Sequence, residues 1–238
     1  VVSLKVELDR ILLLNVGNDG FRNAEVAFNT GKNCNCFFGH KIFTSIHFSI
    51  CYYQGMNFIV GLGNPGKEYD KSRHNLGFML LDHLAQRWQL QFSVQKKCFA
   101  EIAKHNQTYL VKPQTFMNDS GRAVQAMTKY YADQADTSVA EYPNLFVAFD
   151  DLDLEVGQVK IQYGKGPKIH NGLTSIYDHL KTNQFWHVRI GADGRQGDRM
   201  IPPTQYVLSR FSAEEKPLIE SMFQTITTEI EKKIELVT

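Results

Sequence analysis

The stretch Phe58-Ile-Val-Gly-Leu-Gly-Asn-Pro-Gly66 decides the fold: an apolar run of β character ends in a glycine turn. Gly61, Gly63 and Gly66 match G-x-G-x-x-G, the spacing of a dinucleotide-binding turn. Such a turn opens directly into a helix, whose amide groups meet a pyrophosphate. Here Pro65 and Gly66 lead into Lys67-Glu-Tyr-Asp70, and apolar helical spacing begins only near Leu76. The acidic residue about twenty positions on is Asp82, inside that helix, and the next strand signal lies beyond Cys98. That is too far for a βαβ unit of about thirty residues. The glycine spacing therefore does not carry a cofactor site, and a nicotinamide oxidoreductase rests on nothing else in the chain. What the turn does deliver is polar: Asn64 just past the strand, then His74-Asn75 at the mouth of the helix.

Outward from this turn the chain alternates strand and helix patterns. Strands are expected over 57–62, 99–104, 108–112, 145–149, 158–163 and 187–191, with Asn106-Gln107 as a hairpin turn. Helices are expected over 75–88, 120–132 and 172–181, and a last one ends near 235. That last helix carries the capping box Ser212-Ala-Glu-Glu215, and Pro217 leaves its start unfixed. The pattern predicts an α/β fold: one domain over residues 56–238, with a twisted mixed sheet flanked by helices on both faces.

The 238 residues carry 26 basic and 25 acidic side chains, a net charge of only +1. A nucleic-acid partner would have to use a local basic surface, since the total charge supplies no general attraction. No run approaches the length of an apolar membrane span. Cys34, Cys36, Cys51 and Cys98 in a chain of this size read as reduced cytosolic thiols, not a disulfide framework. Residues 1–55 differ from the rest: three of the cysteines lie there, no sustained period follows Ile11-Leu-Leu-Leu14, and the first methionine is Met56. Too acidic and too poor in Arg and Ser for a transit peptide, they read as a poorly ordered extension or an artefact of the assigned start. Cys34, Cys36, His40, His47 and Cys51 match no standard zinc spacing.

Three further polar clusters sit at element ends, as Asn64 and His74 do. Thr115-Phe-Met-Asn118 follows the strand YLVKP, Asp150-Asp-Leu-Asp153 follows LFVAF, and His170-Asn171 closes GKGPKIHN before a helix. Beyond the carboxyl ends of strands is where open α/β sheets bind ligands. Taken singly, Asn64 and Asn118 have ordinary readings as turn or capping residues, and so do Asp150 and Asp151. Their joint occurrence points to a site.

GLGNPGKEYDKSRHNLGF, KPQTFMNDSG, FDDLDLEVG and IHNGLTSI, in this order, resemble bacterial-type peptidyl-tRNA hydrolase from residue 56 to about 235. The resemblance implies hydrolysis of the ester joining a peptide to the tRNA 3′ end, freeing tRNA for translation. It implies no cofactor, no metal, no membrane and no obligate protein partner, in a cytoplasmic monomer. His74 matches the general base and Asp150 the carboxylate that orients it. Asn64, Asn118 and Asn171 match peptide and substrate contacts, with Tyr69, Phe116 and Met117 lining the pocket. Arg189 matches a tRNA contact, and Lys160, Lys165 and Lys168 could join it in holding the phosphate backbone. Asp151 and Asp153 read as turn formers, and His170 is either a partner of the site or a loop residue. The chain departs from the family in Gly164-Lys-Gly-Pro-Lys-Ile169, usually a glycine run, in Gln162, usually basic, and in Ala192-Asp-Gly-Arg-Gln-Gly-Asp-Arg199. A relative that keeps RNA affinity without catalysis is the competing reading; the joint presence of His74, Asp150, Asn64 and Asn118 opposes it.

Overall fold

The computed structural model describes residues 56–131, 142–167, 169–197 and 200–237. The readings made for residues 1–55, and for Lys168, lie outside these. Among the described residues the strands are β1 (Asn57–Gly61), β2 (Ser93–Gln95), β3 (Ala100–His105), β4 (Thr108–Pro113), β5 (Tyr142–Glu155), β6 (Val159–Tyr163) and β7 (Phe185–Asp193). The helices are α1 (Leu76–Arg87), α2 (Ser120–Tyr131), α3 (Asn171–Leu180), the single turn α4 (Pro203–Tyr206) and α5 (Lys216–Val237).

The strands form one mixed sheet in the order β2-β3-β4-β1-β5-β7-β6. Its centre is parallel, β4 with β1, β1 with β5 and β5 with β7, while both margins run antiparallel. The period of two in β1 sorts its side chains between two cores. Ile59 faces Leu76, Leu80, Leu81 and Leu84 of α1 and the apolar stripe of α5, Ile219, Met222, Phe223, Ile226 and Ile230. Phe58 and Val60 face Val124 and Met127 of α2 and Leu173, Ile176 and Leu180 of α3. Helices therefore cover both faces, and the central strands are buried on both, as their near-continuous apolar runs require.

The glycines of the opening stretch serve this packing. A Cβ on Gly61 would lie 2.3 Å from the carbonyl oxygen of Gly77, so α1 crosses the end of β1 at backbone contact. Gly66 takes φ +119°, which bends the chain away from the sheet before the helix begins. At the far end, the amide of Ser212 donates to Glu215 Oε2, and the amide of Glu215 donates to Ser212 Oγ. The predicted capping box is present and fixes the start of α5 at Lys216, with Pro217 in its first turn, where no amide is needed.

Three elements differ from the sequence expectation. The short edge strand β2 and the single turn α4 carry too few residues to show a period. The strand expected over 145–149 extends to Glu155, because Asp150 and Asp151 remain in register with Ile190 and Gly191 of β7. A bulge then separates Asp151 from Glu155. Asp150 and Asp151 are thus strand residues and not the turn that their composition suggested.

Candidate active site

Beyond the carboxyl ends of β1 and β4 and beside β5 lies a cleft of about 850 Å³. Its lining includes Asn64, His74, Phe116, Met117, Asn118, Asp150, His170 and Asn171. Residues from all four sequence clusters therefore meet in one place. The opposite wall, Pro203, Thr204, Val207 and Leu208 around α4, had no signal in the sequence.

His74 lies in a 3₁₀ turn, Arg73–Asn75, that runs straight into α1. Its amide donates to the carbonyl of Val207 (2.8 Å), and the amide of Arg73 donates to the carbonyl of Ser209 (2.9 Å), so the turn is stitched to the α4 segment. Arg73 is buried and anchors the arrangement from behind. Its guanidinium donates to the Ala192 carbonyl (3.0 Å), Ser209 Oγ (3.2 Å) and Glu215 Oε2 (2.7 Å). It also lies 4.5 and 4.4 Å from the ring centroids of Tyr206 and Phe211. Arg73 is a part of the site that motif reading passed over; only its position beside His74 could have flagged it.

Nδ1–H of His74 donates to Asp150 Oδ1 at 2.8 Å. This leaves Nε2 with its lone pair available to the cleft. Burial works against a charged ring here, but the Asp150 carboxylate and its hydrogen bond outweigh that and raise the His74 pKa above 6.5. Asp150 is only 3% exposed. Burial alone would raise its pKa; His74 and His170 together hold it well below the usual carboxylate range.

His170, buried at the entry to α3, donates Nε2–H to the same Oδ1 at 3.3 Å. The rings of His74 and His170 lie 5.5 Å apart, with the carboxylate oxygen taking an N–H from each. Ligand atoms of His74, Asp150 and His170 lie within 4.8 Å of one another, close enough to surround a metal ion. The hydrogen bonding opposes that use. Nδ1 of His170 accepts the amide of Leu173 (3.3 Å), which places the ring proton on Nε2, the atom that would have to be the ligand.

Asn64 and Asn75 pin the glycine turn to the helix mouth. The amide of Asn64 donates to Asn75 Oδ1 (2.9 Å), and Asn75 Nδ2 donates to the Asn64 carbonyl (3.0 Å). Asn64 Oδ1 accepts the amide of Met117 at 2.8 Å, which fixes the side-chain amide and turns its NH₂ group to the cleft. Met117 is buried, whereas Phe116 is 57% exposed and Asn118 and Asn171 are exposed. Tyr69 is outside the lining but sets its ring edge-on to Phe116, centroids 6.4 Å apart.

Arg189 stands apart from the other predicted residues. It is largely buried, with Nε donating to Asp151 Oδ2 (2.6 Å) and Nη1 to Gln162 Oε1 (3.3 Å). A guanidinium held by a buried carboxylate is a structural ion pair, so Arg189 is positioned by Asp151 and Gln162. Asp151 holds Arg189, and its Oδ1 also accepts the amide of Asp153 (2.8 Å). Lys160 and Lys165 are exposed, the first on β6 and the second in the loop that leads to Pro167 and Ile169 of the lining.

Over most of its length the chain is similar to known proteins. Residues 58–237 match the family model described as peptidyl-tRNA hydrolase. The peptidyl-tRNA hydrolase of Neisseria gonorrhoeae is 40% identical over 166 residues, 68% of this chain and 82% of the relative. That of Rickettsia bellii is 40% identical over 176 residues, 72% of this chain and 90% of the relative. The crystal structure of peptidyl-tRNA hydrolase from Acinetobacter baumannii superimposes with a TM-score of 0.62 at 27% identity, covering 77% of this chain and 95% of that one.

Proposed function

The chain belongs to the peptidyl-tRNA hydrolase family, and we propose that it hydrolyses the peptidyl-tRNA ester, releasing free tRNA, by direct attack of water activated at His74. The observation that carries this mechanism is the 2.8 Å bond from His74 Nδ1 to Asp150 Oδ1 beside the cleft. It leaves Nε2 as the proton acceptor and supplies a fixed negative charge for the imidazolium that forms. As water attacks the ester carbonyl carbon, its proton passes to Nε2. When the carbon–oxygen bond to the 3′ ribose breaks, His74 returns that proton to the leaving oxygen. Negative charge on the attacked oxygen falls near Asn118, whose side-chain amide donates to it.

Asn64 provides the selection for blocked substrates. Its NH₂ group meets the carbonyl of an acylated amine as donor to acceptor. The ammonium of a free aminoacyl-tRNA offers that group only donors and positive charge. Phe116, edged by Tyr69, and Asn171 flank the substrate end, while the exposed Lys160 and Lys165 hold tRNA phosphates without reading sequence. The protein acts as a cytoplasmic monomer. Among the described residues no helix is long and apolar enough to cross a membrane.

The test is hydrolysis of N-acetylated and free aminoacyl-tRNA side by side. The wild type should cleave the acetylated form strongly in preference. Asn64→Asp keeps the acceptor for the Met117 amide but turns a carboxylate to the cleft, and should narrow that preference about 10-fold or more. A wild type that cleaves neither substrate, or both equally, would remove the assignment.

A further inference from the structure

We propose that His170 is a positioning residue for the reaction, held by helix α3 as the Nε2–H tautomer so that it aims Asp150 and donates a fixed hydrogen bond to its charged carboxylate. The proposal rests on the assignment of His74 and Asp150 to ester hydrolysis. Three observations lead to it. The His170 side chain is the N-cap of α3, an unusual residue for that place, with Nδ1 accepting the amide of Leu173 at 3.3 Å. An amide donor aimed at Nδ1 excludes a proton there, so in the neutral ring the proton resides on Nε2. Nε2 in turn faces Asp150 Oδ1 at 3.3 Å.

Asp150 needs this second donor. A carboxylate 3% exposed in a buried strand keeps its charge only if its oxygens are hydrogen-bonded, and His74 supplies one N–H. During turnover His74 becomes an imidazolium and then gives its proton away, so its charge is transient. His170 takes no part in that transfer and donates the same N–H throughout. Its ring is also confined: Phe149 of β5 lies 5.0 Å away between centroids, and a Cβ on Gly172 would come 3.2 Å from its Cε1. The chain is therefore continuous from the start of α3 through His170 and Asp150 to His74. Asn171, the first residue of α3, stands on the same helix end, which ties a substrate contact to the orientation of the base.

The two roles of His170, helix cap and Asp150 donor, can be separated. Asn is among the best N-cap residues but is too short to reach Asp150. Gln reaches further toward Asp150 but is a poor cap. His170→Asn should keep a melting temperature close to wild type while kcat on N-acetylated aminoacyl-tRNA falls about 10-fold or more with KM unchanged, as expected for loss of an outer partner that orients a reacting group. His170→Gln should regain part of kcat despite lower thermal stability. In the wild type, long-range ¹H–¹⁵N spectra should show His170 with Nδ1 unprotonated and Nε2 protonated. Wild-type kcat in His170→Asn, or a ring carrying its proton on Nδ1, would overturn the proposal. If the wild type hydrolyses the ester and His74→Ala does not, that outcome removes only the role of His170. Failure of the wild type to hydrolyse at all would instead remove the mechanism beneath it.

Discussion

Two histidines of this fold are enclosed in opposite ways. His74 touches a carboxylate and opens by one nitrogen to the cleft. His187 lies at 0% exposure within β7, with Nδ1–H donating to the Phe185 carbonyl (3.1 Å) and Nε2 accepting from the Tyr177 hydroxyl (2.8 Å). Burial disfavours the charged form of both rings. At His74 the Asp150 carboxylate reverses that effect and the pKa rises. At His187 the partners are neutral groups, and burial together with the nearby Arg189 guanidinium lowers the pKa to about 4, against the hydrogen bonds of the Phe185 and Gln162 backbone. The same side chain is thus readily charged and open by one nitrogen to the cleft at one end of the sheet, and a packing group held uncharged at neutral pH within it. One carboxylate makes the difference.

The hardest test of that contrast is His74→Ala. It removes the proposed proton acceptor and should lower turnover on a blocked aminoacyl-tRNA by about 10²–10⁴-fold. Binding of tRNA should hardly change, since the phosphate contacts we propose, Lys160 and Lys165, lie on other elements. Near-wild-type turnover would end the distinction between the two rings. Asp150→Asn comes next, with a loss at the lower end of the same range, about 10²-fold. Its more telling effect is on pH. The mechanism we propose needs neutral His74, so kcat/KM should fall as pH drops through the pKa of that ring. The carboxylate raises this pKa, and its removal should move the acidic limb to lower pH. An acidic limb that stays in place would show that Asp150 does not govern His74.

How much of this was legible in the sequence follows from range. The β1 turn, α1 and the polar clusters at element ends are written in short stretches: Phe58–Gly66, the leucines of α1, and the pairs Asn64/His74 and His170/Asn171. The capping box of α5 was likewise local. What could not be read depends on partners distant in the chain. The ion pair of Arg189 with Asp151 spans 38 positions and holds the guanidinium largely buried on the sheet. Arg73 reaches Glu215 across 142 positions, and the α4 wall of the cleft has no pattern of its own. Asp150 and Asp151 looked like turn residues because Asp is rare in strands; their place in β5 is imposed by pairing with β7, a tertiary effect that outweighs propensity.

The two rings should also bend the stability curve in opposite directions. His74 has a folded pKa above the unfolded value near 6.5, so its contribution is complete below pH ~6.5 and is lost as pH rises through the folded value. His187 has a folded pKa of about 4, below the unfolded value. Between pH ~6.5 and about 4 the unfolded chain binds a proton that the native chain refuses, so stability falls as pH falls through that window. The full effect is on the order of 3 kcal/mol at the acid end. In His187→Gln, the slope of unfolding free energy against pH over this window should lose about one proton's worth, whatever the change at neutral pH. An unchanged slope would mean that His187 is not held neutral.

The smallest expected effect lies at the hydroxyl that completes the His187 environment. Tyr177→Phe removes the donor to His187 Nε2 and leaves a buried acceptor without its partner, a cost of about 1–3 kcal/mol. The ring of Tyr177 keeps its packing against Phe185, with centroids 5.9 Å apart, so the loss isolates the hydrogen bond from the apolar contact. The variant also probes the lip of the cleft. A Cβ on Gly166 would lie 2.6 Å from the Tyr177 hydroxyl and 3.0 Å from His187, so the loop leading to Ile169 and His170 rests on this pair. Tyr177→Phe should therefore lower the melting temperature by a few degrees while kcat stays near wild type, because His170 is tied to α3 and Asp150 by its own bonds. Loss of turnover matching that of His170→Asn would mean that the buried ring and the catalytic ring are coupled through the loop, and that the two environments are not independent.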